Sequence, residues 1–109
     1  MTEIEPPYYA VIFSRKLSGN TEGYAEMSST MQTLAEKQPG YLGLDAIRNE
    51  EQQGISISYW DSLEAIQSWR NNVQHQQAMN QGTALWYQNY QVKIARVERA
   101  YAFDSGDKE

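Results

Sequence analysis

The clearest alternation of apolar and polar positions along the chain runs from Gly54 to Trp60. A period of two residues is typical of a β-strand with one buried face. Apolar side chains then recur at helical spacing, at Leu63, Ile66 and Trp69. The strand therefore leads into a helix that begins at Asp61 or Ser62. Glu64 follows Asp61 by three residues, which resembles a capping box with aspartate in the cap position.

The chain before this unit predicts two strands and one helix. Residues 8–14 carry apolar side chains at both odd and even positions, which is typical of a central strand covered on both faces. A helix follows, capped by Asn20 or Thr21 and ended by Gln38–Pro39–Gly40. Its apolar face consists of Tyr24, Met27, Met31, Leu34 and Ala35. Residues 41–48 form a second strand, which a polar turn returns antiparallel into the next one.

Beyond Trp69 the sequence predicts a third helical segment and a last strand. The positions at helical spacing are His75, Ala78, Met79, Gly82, Leu85 and Trp86. The polar Asn71–Asn72 pair and the glycine at position 82 each predict a break in the helix. Residues 91–103 form the last strand, in which Val97, Tyr101 and Phe103 share one face.

The order βαββαβ is typical of an α+β ferredoxin-like fold, a four-stranded antiparallel sheet with its helices on one face. We expect a single domain over residues 8–103, with flexible tails at 1–7 and 104–109. Because the first strand is apolar on both faces, the face without helices would expose an apolar patch on a monomer. A homodimer that pairs sheet with sheet would cover this patch.

The composition narrows the classes of partner. The chain of 109 residues has 14 acidic and 9 basic residues, a net charge of −5, and no cluster of Lys and Arg that could grip phosphates. Nucleic acid is therefore not an expected partner. Cysteine is absent, which excludes disulfides and thiolate metal sites and favours the cytoplasm. No segment approaches the roughly 20 apolar residues of a membrane helix, so no membrane association is expected.

Several motifs, in order along the chain, resemble the antibiotic biosynthesis monooxygenase family, and in particular its small bacterial branch. They are Tyr8–Phe13, Gln38–Gly43, Gly54–Ile66, Trp69 followed by His75, Trp86–Tyr87 with Tyr90, and Val97–Tyr101. Members of this family form dimeric α+β barrels, so the resemblance implies that fold and a homodimer. It also implies one of two activities. These are the oxidation of phenolic or quinol-like compounds by dioxygen without a bound cofactor, and oxidative haem degradation.

The two activities require different residues. The haem-degrading branch carries an asparagine on the first strand, a tryptophan on the second helix and a haem-ligating histidine about three turns later. Trp69 matches the tryptophan, but Ser14 stands at the first position and Met79 where the histidine is expected. The resemblance therefore favours a cofactor-independent monooxygenase acting on a small aromatic, with haem degradation as one alternative. A non-catalytic small-molecule-binding or stress-related protein of the same fold is the other.

The candidate site residues are the single histidine and a set of large side chains. His75 is the candidate general base, since an ordinary pKa of about 6.5 lets imidazole accept a proton from a phenol or enol at neutral pH. A solvated or capping histidine is the alternative. The candidate wall of a pocket between helices and sheet, for a small apolar or aromatic ligand, consists of Trp69, Trp86, Tyr59 and Met79. Their alternative role is core packing. One histidine without cysteine predicts no metal site.

Overall fold

The computed structural model describes residues 4–106, which form four strands and three helices. In chain order the elements are β1 (Tyr8–Leu17), α1 (Tyr24–Glu36), β2 (Tyr41–Arg48), β3 (Gln53–Trp60), α2 (Leu63–Arg70), α3 (Val73–Leu85) and β4 (Tyr87–Val97). The strands form one antiparallel sheet in the order β2-β3-β1-β4. The predicted ferredoxin-like sheet is confirmed, and β1 is one of its two central strands.

Alternation along β1 separates the two faces of the sheet. Arg15 Nε donates a hydrogen bond of 2.8 Å to the Tyr24 hydroxyl on α1, and Leu17 is buried against Tyr24 and Trp86. The odd-numbered side chains of β1 therefore face the helices, on what we call the helix face. The even-numbered ones lie on the opposite side, which we call the open face: Tyr8, Ala10, Ile12, Ser14 and Lys16.

Large aromatic side chains fill the helix face near each end of β1. At one end Trp60 is fully buried, and its ring meets Tyr41 edge-on with centroids 5.5 Å apart. At the other end Trp86 packs edge-on against Tyr24 and donates from Nε1 to the Glu22 carbonyl at 2.9 Å. The core is thus two aromatic clusters at opposite ends of one strand.

The residues that cap α1 and α2 both lie later in the chain than the predicted caps. Ser62, and not Asp61, caps α2, because its hydroxyl accepts a 3.1 Å hydrogen bond from the amide of Ala65. Asp61 is held elsewhere: its amide donates to the Gly40 carbonyl at 2.8 Å, and its carboxyl group lies against Gly40. For α1, the cap position belongs to Gly23, whose φ of 84° is left-handed, and not to Asn20 or Thr21.

Three strand limits and one helix break also differ from the predictions. β4 begins at Tyr87, four residues before the predicted start at 91, because Tyr87, Asn89 and Tyr90 pair with β1. β1 continues past Ser14 to Leu17, because it keeps ladder partners on both β3 and β4. β4 ends at Val97 because Val97 pairs with Tyr8, the first residue of β1, so the chain beyond it has no neighbouring strand. Tyr101 and Phe103, expected on a sheet face, are therefore 91% and 87% exposed.

The predicted break at Asn71–Asn72 is confirmed, since Asn72 caps α3 through its side chain. The break at Gly82 was wrong, and α3 continues to Leu85. The absent side chain at Gly82 instead makes room for the ring of Tyr87. The flexible tails at 1–7 and 104–109 stay a prediction, and residues 1–3 and 107–109 lie outside the described part of the chain.

The chain exposes more surface than its mass predicts. Its accessible area is 8102 Å² for 12.5 kDa, whereas a folded monomer of that mass exposes about 6,200 Å². The radius of gyration, 15.2 Å, likewise exceeds the about 13 Å of a compact chain of this length. Ile47 and Ile55, ladder partners on the open face, are 74% and 43% exposed. In residues 4–106 no helix is long and apolar enough to cross a membrane.

Candidate functional site

His75 lies directly on the indole of Trp69. The two ring centroids are 4.3 Å apart and the ring planes differ by 14°. Trp69 belongs to the last turn of α2, and His75 to the first turn of α3. Asn72 connects the two turns, because its side-chain oxygen accepts hydrogen bonds from the amides of Gln74 and His75. The helix break therefore folds the histidine back onto the tryptophan.

The hydrogen bond made by His75 determines which ring nitrogen can act as a base. Nδ1 lies 3.1 Å from the Trp69 carbonyl oxygen. A carbonyl oxygen only accepts, so Nδ1 carries the proton, and in the neutral ring the lone pair is on Nε2. Burial lowers the pKa of His75, an effect that its hydrogen bond to the Trp69 backbone partly opposes. His75 is consequently a neutral imidazole at pH 7, with Nε2 as its basic atom.

The stack continues from Trp69 into the core of the sheet. Trp69 stacks with Trp60 at a centroid distance of 6.2 Å and an angle of 26°, and Trp60 meets Tyr41 edge-on. Burial raises the pKa of Tyr41, with a further contribution from the carboxylate of Glu36. We call His75, Trp69, Trp60 and Tyr41 the aromatic row. It connects a half-buried imidazole to a fully buried indole.

Tyr59 lies on the open face, away from the aromatic row. It pairs with Ala10 in the ladder, so its side chain follows the even-numbered side chains of β1. Its hydroxyl donates to Asp45 at 2.7 Å, and its ring meets Tyr8 edge-on at 5.8 Å. Burial, the Asp45 carboxylate and Tyr8 together raise the pKa of Tyr59 to about 12. Because adjacent strand residues point to opposite faces, Trp60 occupies the helix face in its place.

Trp86 and Met79, the other predicted wall residues, occupy different places. Trp86 is in the cluster with Leu17 and Tyr24. Leu17 is eight positions along β1 from Tyr9, the ladder partner of Trp60, a separation of roughly 26 Å. Met79 is half-buried on α3. It follows His75 by four positions, which places the two side chains on the same side of α3. The structure therefore stacks Trp69 with His75 and places Met79 one helical turn after His75, and it separates Trp86 and Tyr59 from them.

Two grooves mark the described surface. One, of about 300 Å³, lies between α1 and the start of α3 and is lined by Ser29, Thr30, Thr33, Leu34, Lys37 and Gln74. It thus reaches the residue next to His75. A larger cleft, of about 640 Å³, lies at the opposite end of the sheet on the open face, where its lining includes Ser14, Lys16 and Ile55. Among residues 4–106, no three His, Cys, Asp or Glu side chains could hold a metal ion.

The sequence did not identify Trp60 as part of the candidate site. Trp60 ends an alternating strand directly before the cap of α2. This position indicates contact with α2, because the end of the strand meets the helix that follows. The position of Arg15 on a strand suggested a guanidinium that could stabilise a developing oxyanion. The sequence does not show that α1 supplies a tyrosine to hold this side chain.

Comparison with known proteins identifies relatives in both sequence and structure. A family model described as antibiotic biosynthesis monooxygenase matches residues 7–81. The uncharacterised protein YqjZ of Bacillus subtilis (strain 168) is 48% identical over 99 residues, which cover 91% of this chain and 87% of YqjZ.

Two solved structures are similar in fold at low sequence identity. SnoaB, a cofactor-independent oxygenase from Streptomyces nogalater, superposes with a TM-score of 0.75 at 10% identity, covering 87% of this chain and 97% of SnoaB. PA3566 from Pseudomonas aeruginosa gives a TM-score of 0.70 at 19% identity, covering 91% of this chain and all of PA3566 (100%). At these identities the likeness describes the fold.

Proposed function

The chain belongs to the antibiotic biosynthesis monooxygenase family, and we propose that it oxidises a small phenolic or quinol-like aromatic with dioxygen, without a bound cofactor. One observation carries the proposal. Nδ1 of His75 donates to the Trp69 carbonyl oxygen, so the neutral imidazole that burial favours by lowering the pKa carries its lone pair on Nε2. The likeness to SnoaB, a cofactor-independent oxygenase, is consistent with this chemistry.

In the proposed reaction His75 transfers protons and the substrate supplies the electrons. Nε2 takes the hydroxyl or enol proton, and the resulting anion gives one electron to dioxygen. The substrate radical and superoxide combine into a carbon–oxygen bond, and the peroxide anion takes a proton back from the imidazolium. Loss of the carbon-bound proton and cleavage of the oxygen–oxygen bond then release water. Overall, one methylene and one dioxygen give one carbonyl and one water.

The pKa of His75 restricts the substrate. A simple phenol has a pKa of about 10, and each unit of mismatch with the base costs about 1.4 kcal/mol in the proton transfer. Because burial lowers the pKa of His75, that mismatch is larger than for an exposed histidine. The substrate hydroxyl should therefore be more acidic than phenol, as in an enol or a phenol conjugated to a carbonyl. Anthrones and acyl-substituted quinols meet this requirement.

Trp69 has a positioning role in this proposal. Its indole already stacks with both His75 and Trp60, so it fixes the plane of the imidazole. Met79, four residues after His75 on α3, contributes an adaptable apolar contact beside the base. Tyr59 would contact a ligand only on the open face, and Trp86 packs in the core beside Leu17 and Tyr24.

We further propose that the protein is a homodimer whose open faces pack together. The excess accessible area and the exposed Ile47 and Ile55 support this arrangement. The segment after Val97, with Tyr101 and Phe103 almost fully exposed, is a second apolar surface that a partner copy would cover. A cytoplasmic location stays a prediction from composition.

The test is dioxygen uptake with a panel of anthrones and acylated quinols. We expect uptake by the parent, and a loss of roughly 100-fold or more in His75→Ala, the usual contribution of a general base. Gln77→Ala, an exposed change on the same helix, is the matched control and should react like the parent. If the parent consumes no dioxygen across the panel, the oxygenase proposal is wrong. If His75→Ala reacts at the parent rate, the assignment of the base is wrong.

Haem degradation gains no support from the described residues. Ser14, at the position of the expected asparagine, pairs with Ile55 and lies on the open face. Trp69 is on the helix side, so the two residues cannot flank one haem within a chain. Titration with haem should therefore leave its Soret band unshifted at micromolar concentration. A non-catalytic binding protein is the alternative that remains if both dioxygen uptake and haem binding fail.

A further inference from the structure

Ladder partners align the side chains of the open face in rows across the sheet. One row crosses the middle of the face and consists of Asp45 on β2, Ile57 on β3, Ile12 on β1 and Lys93 on β4. We call it the charged row. Asp45 and Lys93 are exposed, whereas the two isoleucines are half-buried. The charged row therefore carries opposite charges at the two edges of the sheet, with apolar side chains between them.

The two charged side chains of this row are too far apart to bond within one chain. Three strand spacings of about 4.8 Å separate β2 from β4, so the Cα atoms of Asp45 and Lys93 lie roughly 14 Å apart. Asp45 is instead oriented by Tyr59, whose hydroxyl donates to Oδ2 of Asp45 at 2.7 Å. A carboxylate accepts several hydrogen bonds, so Asp45 retains acceptor capacity for a cation from another molecule.

Two-fold symmetry offers two ways to pack open face on open face with the strands aligned. An axis across the strands places each strand over its own copy, so Asp45 lies over β2 of the partner and Lys93 over β4 of the partner. An axis along the strands, between β3 and β1, places β2 over β4 of the partner and β3 over β1 of the partner. This second axis also keeps every row over the same row of the partner, so the register is fixed.

Only the axis along the strands brings the opposite charges together. In the charged row it places Asp45 over Lys93 of the partner subunit and Ile57 over Ile12 of the partner subunit, and each pair occurs twice. Facing sheets lie about 10 Å apart. The flexible four-carbon stem of lysine carries its ammonium group across most of that gap towards the carboxylate.

The open face is thus complementary to itself in charge. A two-fold interface uses the same surface on both copies, and opposite charges at the two edges of one row satisfy that condition. The accessible area also allows it. The chain exposes 8102 Å², whereas a compact monomer of its mass exposes about 6,200 Å², and the excess is larger than the about 800 Å² that each partner buries in a stable interface.

We infer that the partner on the open face is a second copy with its β4 over β2, and that two ion pairs between Asp45 and Lys93 of the partner subunit select this arrangement. The inference rests on the homodimer proposed above and adds its orientation. Like charges placed over each other are unfavourable, so the charged row disfavours the packing of each strand on its own copy. Because both side chains lie at the edges of the sheet, the ion pairs act more on the arrangement than on the affinity.

Charge reversal in the full chain tests the arrangement. Asp45→Lys and Lys93→Asp should each weaken dimerisation roughly 10-fold or more, because each change places like charges together twice in the dimer. The double variant re-forms both ion pairs with reversed sign and should dimerise within roughly 3-fold of the parent. Tyr59→Phe removes the hydrogen bond to Asp45 but no charge, so it is the matched control and should dimerise like the parent.

Sedimentation equilibrium measures the dissociation constants, and circular dichroism checks that each variant is folded. If the single variants dimerise like the parent, or if the double variant is no tighter than either of them, the arrangement is wrong. A parent that is monomeric would instead refute the homodimer itself.

The absence of cysteine from the chain allows a direct test of which strands face each other. After subunit exchange, an equimolar mixture of Asp45→Cys and Lys93→Cys chains should give covalent dimers with a short bismaleimide. Either chain alone should give none, because equal positions lie at opposite edges of the interface. Cross-linking of Asp45→Cys alone would indicate β2 over β2 of the partner and would overturn the arrangement, as would a mixture that gives no covalent dimer.

Discussion

A single charge on the open face should split the proposed homodimer. Ile57 lies in the middle of β3, where its ladder partners are Ile12 on β1 and Asp45 on β2. All three side chains point away from the helices. We expect Ile57→Glu to convert the dimer into a folded monomer, because a two-fold axis places the substituted side chain in the interface twice.

The magnitude follows from the surface of the chain. Its area of 8102 Å² exceeds that of a compact monomer by about 1,900 Å², whereas a stable interface needs only about 800 Å² from each partner. Loss of a buried isoleucine side chain costs roughly 1.5 to 3 kcal/mol, so the two copies lose roughly 3 to 6 kcal/mol. This weakens association by roughly 100- to 10,000-fold before any cost of burying the charge.

Sedimentation and light scattering at tens of micromolar measure the outcome. Ile94→Glu is the matched control, since Ile94 is 51% exposed and pairs with Val11, on the helix face. Circular dichroism should show the same secondary structure in both variants. A parent that is already monomeric would refute the reasoning. So would a pair of variants in which Ile94→Glu dissociates and Ile57→Glu does not.

Three further predictions concern the aromatic packing. Burial lowers the pKa of His75 below its usual 6.5, so on acidification the unfolded chain binds this proton first. The free energy of unfolding in urea should fall as the pH drops below about 6.5. His75→Gln should remove about 1.4 kcal/mol of that loss per unit of pKa difference between the folded and unfolded chain. If the free energy of unfolding depends on pH in the same way in His75→Gln, the burial of His75 is contradicted. Trp69→Leu should raise the pKa of His75 towards 6.5 in an NMR titration, because it exposes the imidazole. In Gly82→Ala the new Cβ would lie 2.9 and 3.2 Å from ring carbons of Tyr87. A clash of roughly 1 to 3 kcal/mol should outweigh the about 1 kcal/mol that alanine gains in a helix, whereas Gly19→Ala, in open space, should melt near the parent temperature.

Local patterns predicted the elements, but long-range contacts set their ends. The alternation from Gly54 to Trp60 identified β3 and its direct passage into α2. The cap of α2 was placed one residue early, because Asp61 is held by Gly40 at the start of β2. In the same way, β4 ends at Val97 because β1 begins at its partner Tyr8. A pattern read along the chain does not contain the position of the neighbouring strand.

In the candidate site, too, local patterns predicted some features and long-range contacts decided the others. Trp69 and His75 were both candidates from the sequence, but their stacking depends on the turn at Asn71–Asn72, which folds one helix back onto the other. Tyr59 was assigned to the same wall as Trp69, but adjacent strand residues face opposite sides of a sheet. Trp60 therefore joins the aromatic row, and Tyr59 bonds to Asp45 on the open face. The contacts between β1 and α1 decide which face of the sheet the helices cover. Periodicity along the chain does not reveal those contacts.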